Sequence, residues 1–213
     1  MRAQPRAVAT RVLALALVLG AGTRARAEDK PQPPPVEVRV QNRFVEKAKR
    51  FEMAIGFAYL ERDDFYRNPG GQFTLTYWLR ESLALEAQLA GYDSVETFEA
   101  RQVREQTGFL PDIRRERAAL TLGGRWSFGY GKVLLGRRVI HFDPQIFLHA
   151  GAHVTDDGGI WPLFDGGLAL ATRPLARMLV RLDLGLVLEG EQRSAGYVAV
   201  FGFQPVLAVG FLL

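Results

Sequence analysis

The chain of 213 residues has no cysteine. Disulfides, thiolate zinc sites, thiol catalysis and a lipid-modified cysteine anchor are therefore excluded. Histidine is scarce, with three residues, and beyond residue 50 the only lysine is Lys132. Past residue 27 no stretch reaches the roughly 18 apolar residues that a membrane-spanning helix requires. A basic surface is lacking too. The formal net charge is +4, but Arg2, Arg6, Arg11, Arg24 and Arg26 lie in a segment without a single acid. The remainder carries 22 basic against 23 acidic residues, so the balance offers nothing to nucleic acid.

What the N-terminus does have is an address. Arg2, Arg6 and Arg11 form a positive head, Val12 to Gly22 is apolar, and Ala25 and Ala27 supply small residues at the positions a signal peptidase reads. Residues 1–27 are expected to be a secretory signal. Residues 28–50 follow as a Pro-rich linker (EDKPQPPP) and a mixed, basic lead-in. The mature chain is expected to be exported, and any span of a membrane within it must be β.

From Phe51 onward apolar residues recur every second position, the period of a strand. Phe51, Met53, Ile55, Phe57 and Tyr59 alternate with Glu52, Ala54, Gly56 and Ala58. Phe73, Leu75, Tyr77 and Leu79 alternate with Gln72, Thr74, Thr76 and Trp78. Six further segments behave alike. They begin near Leu83, Arg117, Ile140, Phe164, Arg177 and Phe201, and the seventh, with Met178, Val180, Leu182, Leu184, Leu186 and Leu188, is the clearest. Eight strands of about nine to eleven residues suit a tilted crossing of a bilayer, and the even count suits an outer-membrane barrel. The predicted fold is all-β, an eight-stranded antiparallel up-and-down transmembrane barrel over residues 51–213.

A soluble barrel alternates as well, with its apolar face inward and a charged exterior. Here the polar face is rich in Gly, Ala, Ser and Thr with charges of both signs, which suits a narrow lumen. The apolar face carries Phe51, Tyr59, Phe73, Tyr77, Trp126, Phe128, Phe142 and Phe211 toward strand ends, as in the aromatic girdles of membrane barrels. With the N-terminus in the periplasm, the outward connections are residues 61–71, 93–116, 155–160 and 190–196. The inward turns are 80–82, 129–138 and 172–176. Within the long charged outward loop a short helix is expected around residues 95–106.

Three phrases carry a resemblance: VQNRFVEKAKRFEMAIGFAYLERDDFYRN (40–68), YWLRESLALEAQLAG (77–91) and WSFGYGKVLLGRRVIHFD (126–143). They resemble the outer membrane β-barrel domain family found mainly in myxobacteria. That resemblance implies a small outer-membrane barrel from about Val36 to Leu213 and transfers no catalytic residue. It also implies, by kinship, a place in a trans-envelope machine. The C-terminal Val209, Phe211 and Leu213 resemble the signal read by the barrel insertion machinery.

The interior of an eight-stranded barrel is just wide enough for side chains to fill it. The expected lumen network comprises Glu52, Glu86, Arg117, Arg125, His141, Asp143, Asp165, Arg181, Asp183 and Glu189, with Arg177 beside them. Buried charges must be paired to be tolerable, so the network is read first as a rigid plug and second as a narrow ion pathway. No metal or cofactor is expected, since His149 and His153 stand roughly 13 Å apart along one strand. No serine sits beside a histidine in its own strand; Ser127 and Ser194 lie on other segments, and an enzyme is not expected. The expected role is structural, anchoring or protein-interacting in the envelope. Contacts would be outer-membrane lipid, the insertion machinery, and envelope proteins reached through outward loops or the lead-in. The rivals are a narrow passive pore, a lipid-modifying enzyme and a soluble periplasmic ligand-binding barrel.

Overall fold

The computed structural model describes residues 45–62, 65–108, 112, 114–136 and 138–213. The expected signal, the Pro-rich linker and the first part of the lead-in lie outside these residues. The elements are β1 (Phe51–Leu60), β2 (Tyr66–Trp78), β3 (Leu83–Tyr92), β4 (Val95–Glu96), α1 (Phe98–Thr107), β5 (Glu116–Ser127), β6 (Gly131–Leu135), β7 (Arg138–Thr155), β8 (Ile160–Thr172), β9 (Met178–Arg193) and β10 (Gly196–Leu212).

Eight of the strands close on themselves. The order runs β1-β10-β9-β8-β7-β5-β3-β2, and β1 also pairs with β2, so no edge is left in the wall. All neighbours are antiparallel, with Met53 opposite Phe211 on one side of β1 and Leu75 on the other. Closure satisfies every ladder within the sheet, the condition for β-structure in a solvent that cannot hydrogen-bond.

The period-two pattern sets the faces. Outside, Ile55, Phe57, Leu122, Leu148, Leu168, Leu186 and Phe201 are exposed, while Thr74, Thr76, Gln88, Thr121, Gln145 and Asp183 are buried. Apolar residues outward and polar residues inward is the inverse of a water-soluble protein. This wall is a transmembrane barrel.

Three local features differ from the expectation. The outward connection after β1 spans only residues 61–65, because β2 begins at Tyr66. The β9–β10 turn shrinks to Ser194 and Ala195, since both strands continue well past Gly190. The inward segment 129–138 is no loose turn: β6 pairs with the start of β7, with Gly136 at φ 63° closing the hairpin. The expected loop helix exists as α1, shifted to Phe98. Thr97 caps it by accepting the Ala100 N–H, and Gly108 ends it in the left-handed region at φ 71°.

Candidate functional site

The lumen holds the chemistry of this molecule. Among the described residues, the buried carboxylates are Glu52, Glu86, Glu116, Asp143, Asp165, Asp183, Glu189 and Glu191, and the buried cations are Lys47, Arg62, Arg125, Arg173 and Arg181. They fall into three tiers.

The middle tier is organised around Glu86. Arg125 clamps it with Nε and Nη2, each 2.7 Å from a carboxylate oxygen, and Thr76 and Gln88 donate to the same two oxygens at 2.8 and 2.9 Å. Arg125 then reaches Asp183 at 3.0 Å and Gln145 at 3.2 Å, so its whole donor fork is used. Arg181 adds a bond to Asp183 at 3.0 Å. His149 lies between Asp165, 2.9 Å from Nδ1, and Glu86, 3.4 Å from Nε2. Gly123 makes room for that ring: a Cβ there would stand 2.5 Å from His149 Cδ2.

The outward tier is closed by a loop residue. Arg62, just past β1, turns into the barrel and donates to Glu116 at 2.8 Å and Glu189 at 2.9 Å. Its other nitrogen reaches Glu191 at 3.5 Å. His153 approaches Glu116 with Nδ1 (2.6 Å) and the Gly190 carbonyl with Nε2 (3.0 Å). Both its neighbours are acceptors, so only the doubly protonated ring donates to both. Glu116, His153 and Glu189 bring possible metal ligands within 4.8 Å of one another. The guanidinium of Arg62 already supplies the positive charge there.

The inward tier is a cork. The backbone N–H groups of Lys47 and Ala48 both donate to one Glu81 oxygen, at 2.9 and 2.8 Å, which fixes the lead-in across the mouth. The Lys47 ammonium bonds Asp143 at 2.9 Å and sits 4.0 Å from the centre of the Trp78 ring. Burial pulls this ammonium below its ordinary pKa, and Asp143 opposes that shift. Trp78 packs with Ala84 and Leu212 as an apolar floor, and Arg173 bonds Glu52 beside it.

Between the outward and middle tiers lies an amide layer. Gln204 donates to Tyr92 at 2.7 Å and to Gln72 at 3.3 Å. Two cavities beside it measure about 10 Å³ each, room for one water apiece.

Of the expected network, Glu52, Glu86, Arg125, Asp143, Asp165, Arg181, Asp183 and Glu189 stand in the lumen. His141 is half-buried at the inward rim, 2.6 Å from the Tyr130 hydroxyl. Arg117 is a correction. A register shift between Glu116 and Ala118 turns Glu116 inward and leaves Arg117 exposed outside. Arg177 is exposed as well, and its place is taken by Arg173. Sequence reading missed Lys47, Arg62, Glu116, Arg173 and Glu191, because four of these lie at or beyond the ends of the periodic segments and Glu116 sits at the bulge. Ser127 bonds the Gly129 carbonyl and Ser194 bonds Asp112, so neither hydroxyl is paired with a histidine.

The girdle residues are all exposed or half-exposed. Phe51 and Tyr77 meet at 4.7 Å between ring centres and Trp126 and Phe128 at 5.8 Å, both on the inward rim with Phe142 and Phe211. Tyr59 stands toward the outward rim. Phe73 pairs with Ile55 and Leu89, which places it mid-wall rather than at an interface.

No protein-family model matches the chain, and no curated protein matches it. Solved structures do. The attachment invasion locus protein Ail of Yersinia pestis is 10% identical, with a TM-score of 0.39, covering 78% of this chain and 99% of its own. The outer membrane protein OprG of Pseudomonas aeruginosa is 11% identical, with a TM-score of 0.45, covering 81% and 99%. A de novo designed transmembrane β-barrel is 12% identical, with a TM-score of 0.43, covering 79% and 98%. At such values a likeness transfers neither a function nor a residue's role.

Proposed function

We propose that this protein is a closed barrel of the bacterial outer membrane, serving as a structural anchor or interaction platform in the envelope rather than as a pore or an enzyme. The carrying observation is the filled lumen. Three tiers of paired charge occupy it, Arg62 and Lys47 close its two ends, and the two cavities beside the amide layer have room for one water each. Such a filling argues against a path for a hydrated ion. Outer-membrane placement is supported by the apolar exterior and by the long charged loop between β3 and β5 on the side away from both termini. Kinship with the myxobacterial barrel family belongs to the same reading and rests on the three phrases quoted above. Partners would meet the loop carrying α1 or the inward lead-in, and delivery would use the insertion machinery.

Two measurements test the reading. Outer-membrane fractionation with boiled and unboiled gel samples should show a heat-modifiable band in that fraction. Planar bilayers containing the folded protein should stay silent. Steady unitary conductance would replace the anchor with a narrow channel, and a soluble periplasmic band without a mobility shift would overturn the membrane reading itself.

A further inference from the structure

Among the described arginines on the outward half of the molecule, Arg62, Arg104, Arg114, Arg115 and Arg193 are each held by an acid. Arg101 projects from α1 in the loop, away from the wall. Arg67 on β2 and Arg117 on β5 are exposed on the outer wall, and neither forms an ion pair or side-chain hydrogen bond with any described residue. They flank β3 at its outward end. Asp93, exposed between them, bonds neither side chain; its backbone N–H goes to the Pro69 carbonyl.

Their height on the wall gives this meaning. Arg117 and Phe128 are eleven residues apart along β5 and its immediate extension. At about 3.3 Å per residue and a tilt near 45°, that separation is about 25 Å along the membrane normal, the height of the apolar band of an outer-membrane barrel. Phe128 and Trp126 mark one interface, so Arg117 stands at the other. Below it on the same face come Leu120 and Leu122, both exposed. A regular strand would have turned Arg117 into the lumen. The bulge between Glu116 and Ala118 is what puts it outside.

We infer that Arg117, assisted by Arg67, binds the phosphate of a phosphorylated lipid in the outer leaflet. This rests on the outer-membrane reading above. A guanidinium presents a planar fork that matches two phosphate oxygens, and its aliphatic stem lies along the apolar wall while the head stays at the interface. Arg67, Arg117 and Asp93 together carry +1, the sign that favours an anionic headgroup over a zwitterionic one.

The test uses the folded protein in mild detergent and native mass spectrometry. The probes are diphosphoryl lipid A, its dephosphorylated form and inorganic phosphate. The wild type should retain one diphosphoryl lipid A. Arg117→Gln should weaken that retention about tenfold, as loss of a charge-assisted pair does. Arg67→Gln should weaken it less, and Arg101→Gln, on exposed α1, should leave it unchanged. Equal retention by Arg117→Gln, equal retention of the dephosphorylated lipid, or displacement by equimolar inorganic phosphate would each overturn the inference. Heat-modifiable mobility of every variant is read in parallel. If the mobility shift and vesicle insertion fail for the wild type, the membrane reading has fallen; if they hold while lipid selectivity fails, only this inference has.

Discussion

Arg125 and Glu86, on the adjacent strands β5 and β3, meet through two near-parallel hydrogen bonds of 2.7 Å inside a fully buried lumen. The pair joins the wall across its middle, and Asp183 extends the grip to β9.

Breaking that pair from one side leaves a charge without its partner. Glu86→Gln or Arg125→Met should each cost about 3–5 kcal/mol. The double variant should lose less than the two single losses added, because the stranded charge is gone. Urea titration of the barrel folded in lipid vesicles reads both numbers. Strict additivity would mean that the two residues stabilise the wall independently.

Removal of Arg62 should create a cation site. Arg62→Ala leaves Glu116, Glu189 and Glu191 facing one another without the guanidinium that joins them. The temperature at which the unboiled gel band converts should fall, and millimolar calcium should raise it again in the variant but not in the wild type. A variant indifferent to calcium would show that the loop collapses rather than leaving an open acidic cup.

The outward loops carry an acid-sensitive tie. Asp112 accepts from the Ser194 backbone N–H at 2.7 Å and from its hydroxyl, joining the long loop to the β9–β10 turn. Those bonds hold its carboxyl below its ordinary pKa. A depressed carboxylate contributes stability that is fully present above its unfolded value and is lost as pH falls through its folded value. Pepsin nicking of the loop should therefore stay slow near about pH 4, where an ordinary Asp begins to protonate, and accelerate only at more acid pH. In Asp112→Asn the nicking should already be fast at the higher pH and flat across the range.

The exterior has its own test. Leu148 is 69% exposed and pairs with Gly124 and Gly166 in the middle of the wall. Leu148→Arg should cost about 2–4 kcal/mol of folding stability in bilayers, the penalty for a cation at the midplane. The same change at Leu134 on the inward β6–β7 hairpin, beyond the wall, should cost little. Equal tolerance at both positions would place Leu148 outside the apolar band.

The wall was legible because a strand's faces repeat every two residues and burial selects them: Met178 to Leu188 reads outward without an error. The bulge was not, because Arg117, Thr121 and Arg125 keep perfect register on paper. Nothing in the string RERAAL says that Glu116, not Arg117, will meet Arg62 and His153. Arg62 and Lys47 were hidden for a related reason. Each enters the lumen from a connecting segment, where no periodicity announces the direction of a side chain. The core of the charge network follows from local alternation, whereas its two stoppers depend on contacts between residues far apart in sequence, Arg62 with Glu189 and Lys47 with Asp143.

Barrel closure also sets an order of events. β1 pairs with β10, the last strand of the chain, and the Leu213 N–H reaches back to the Phe51 carbonyl. Lys47 immediately precedes that seam, and Glu52 within it meets Arg173 from the far side. Leu212 of that last strand also completes the apolar floor around Trp78, on which the Lys47 ammonium rests, so the floor is incomplete before the final strand has arrived. Until then the interior lies open, and its carboxylates and guanidiniums remain hydrated. They are stripped of water together in the closing step, each already within reach of its counter-charge. The desolvation that would forbid insertion of isolated charges is thus deferred to the moment when pairing offsets it, and the barrel should close in one late, cooperative transition.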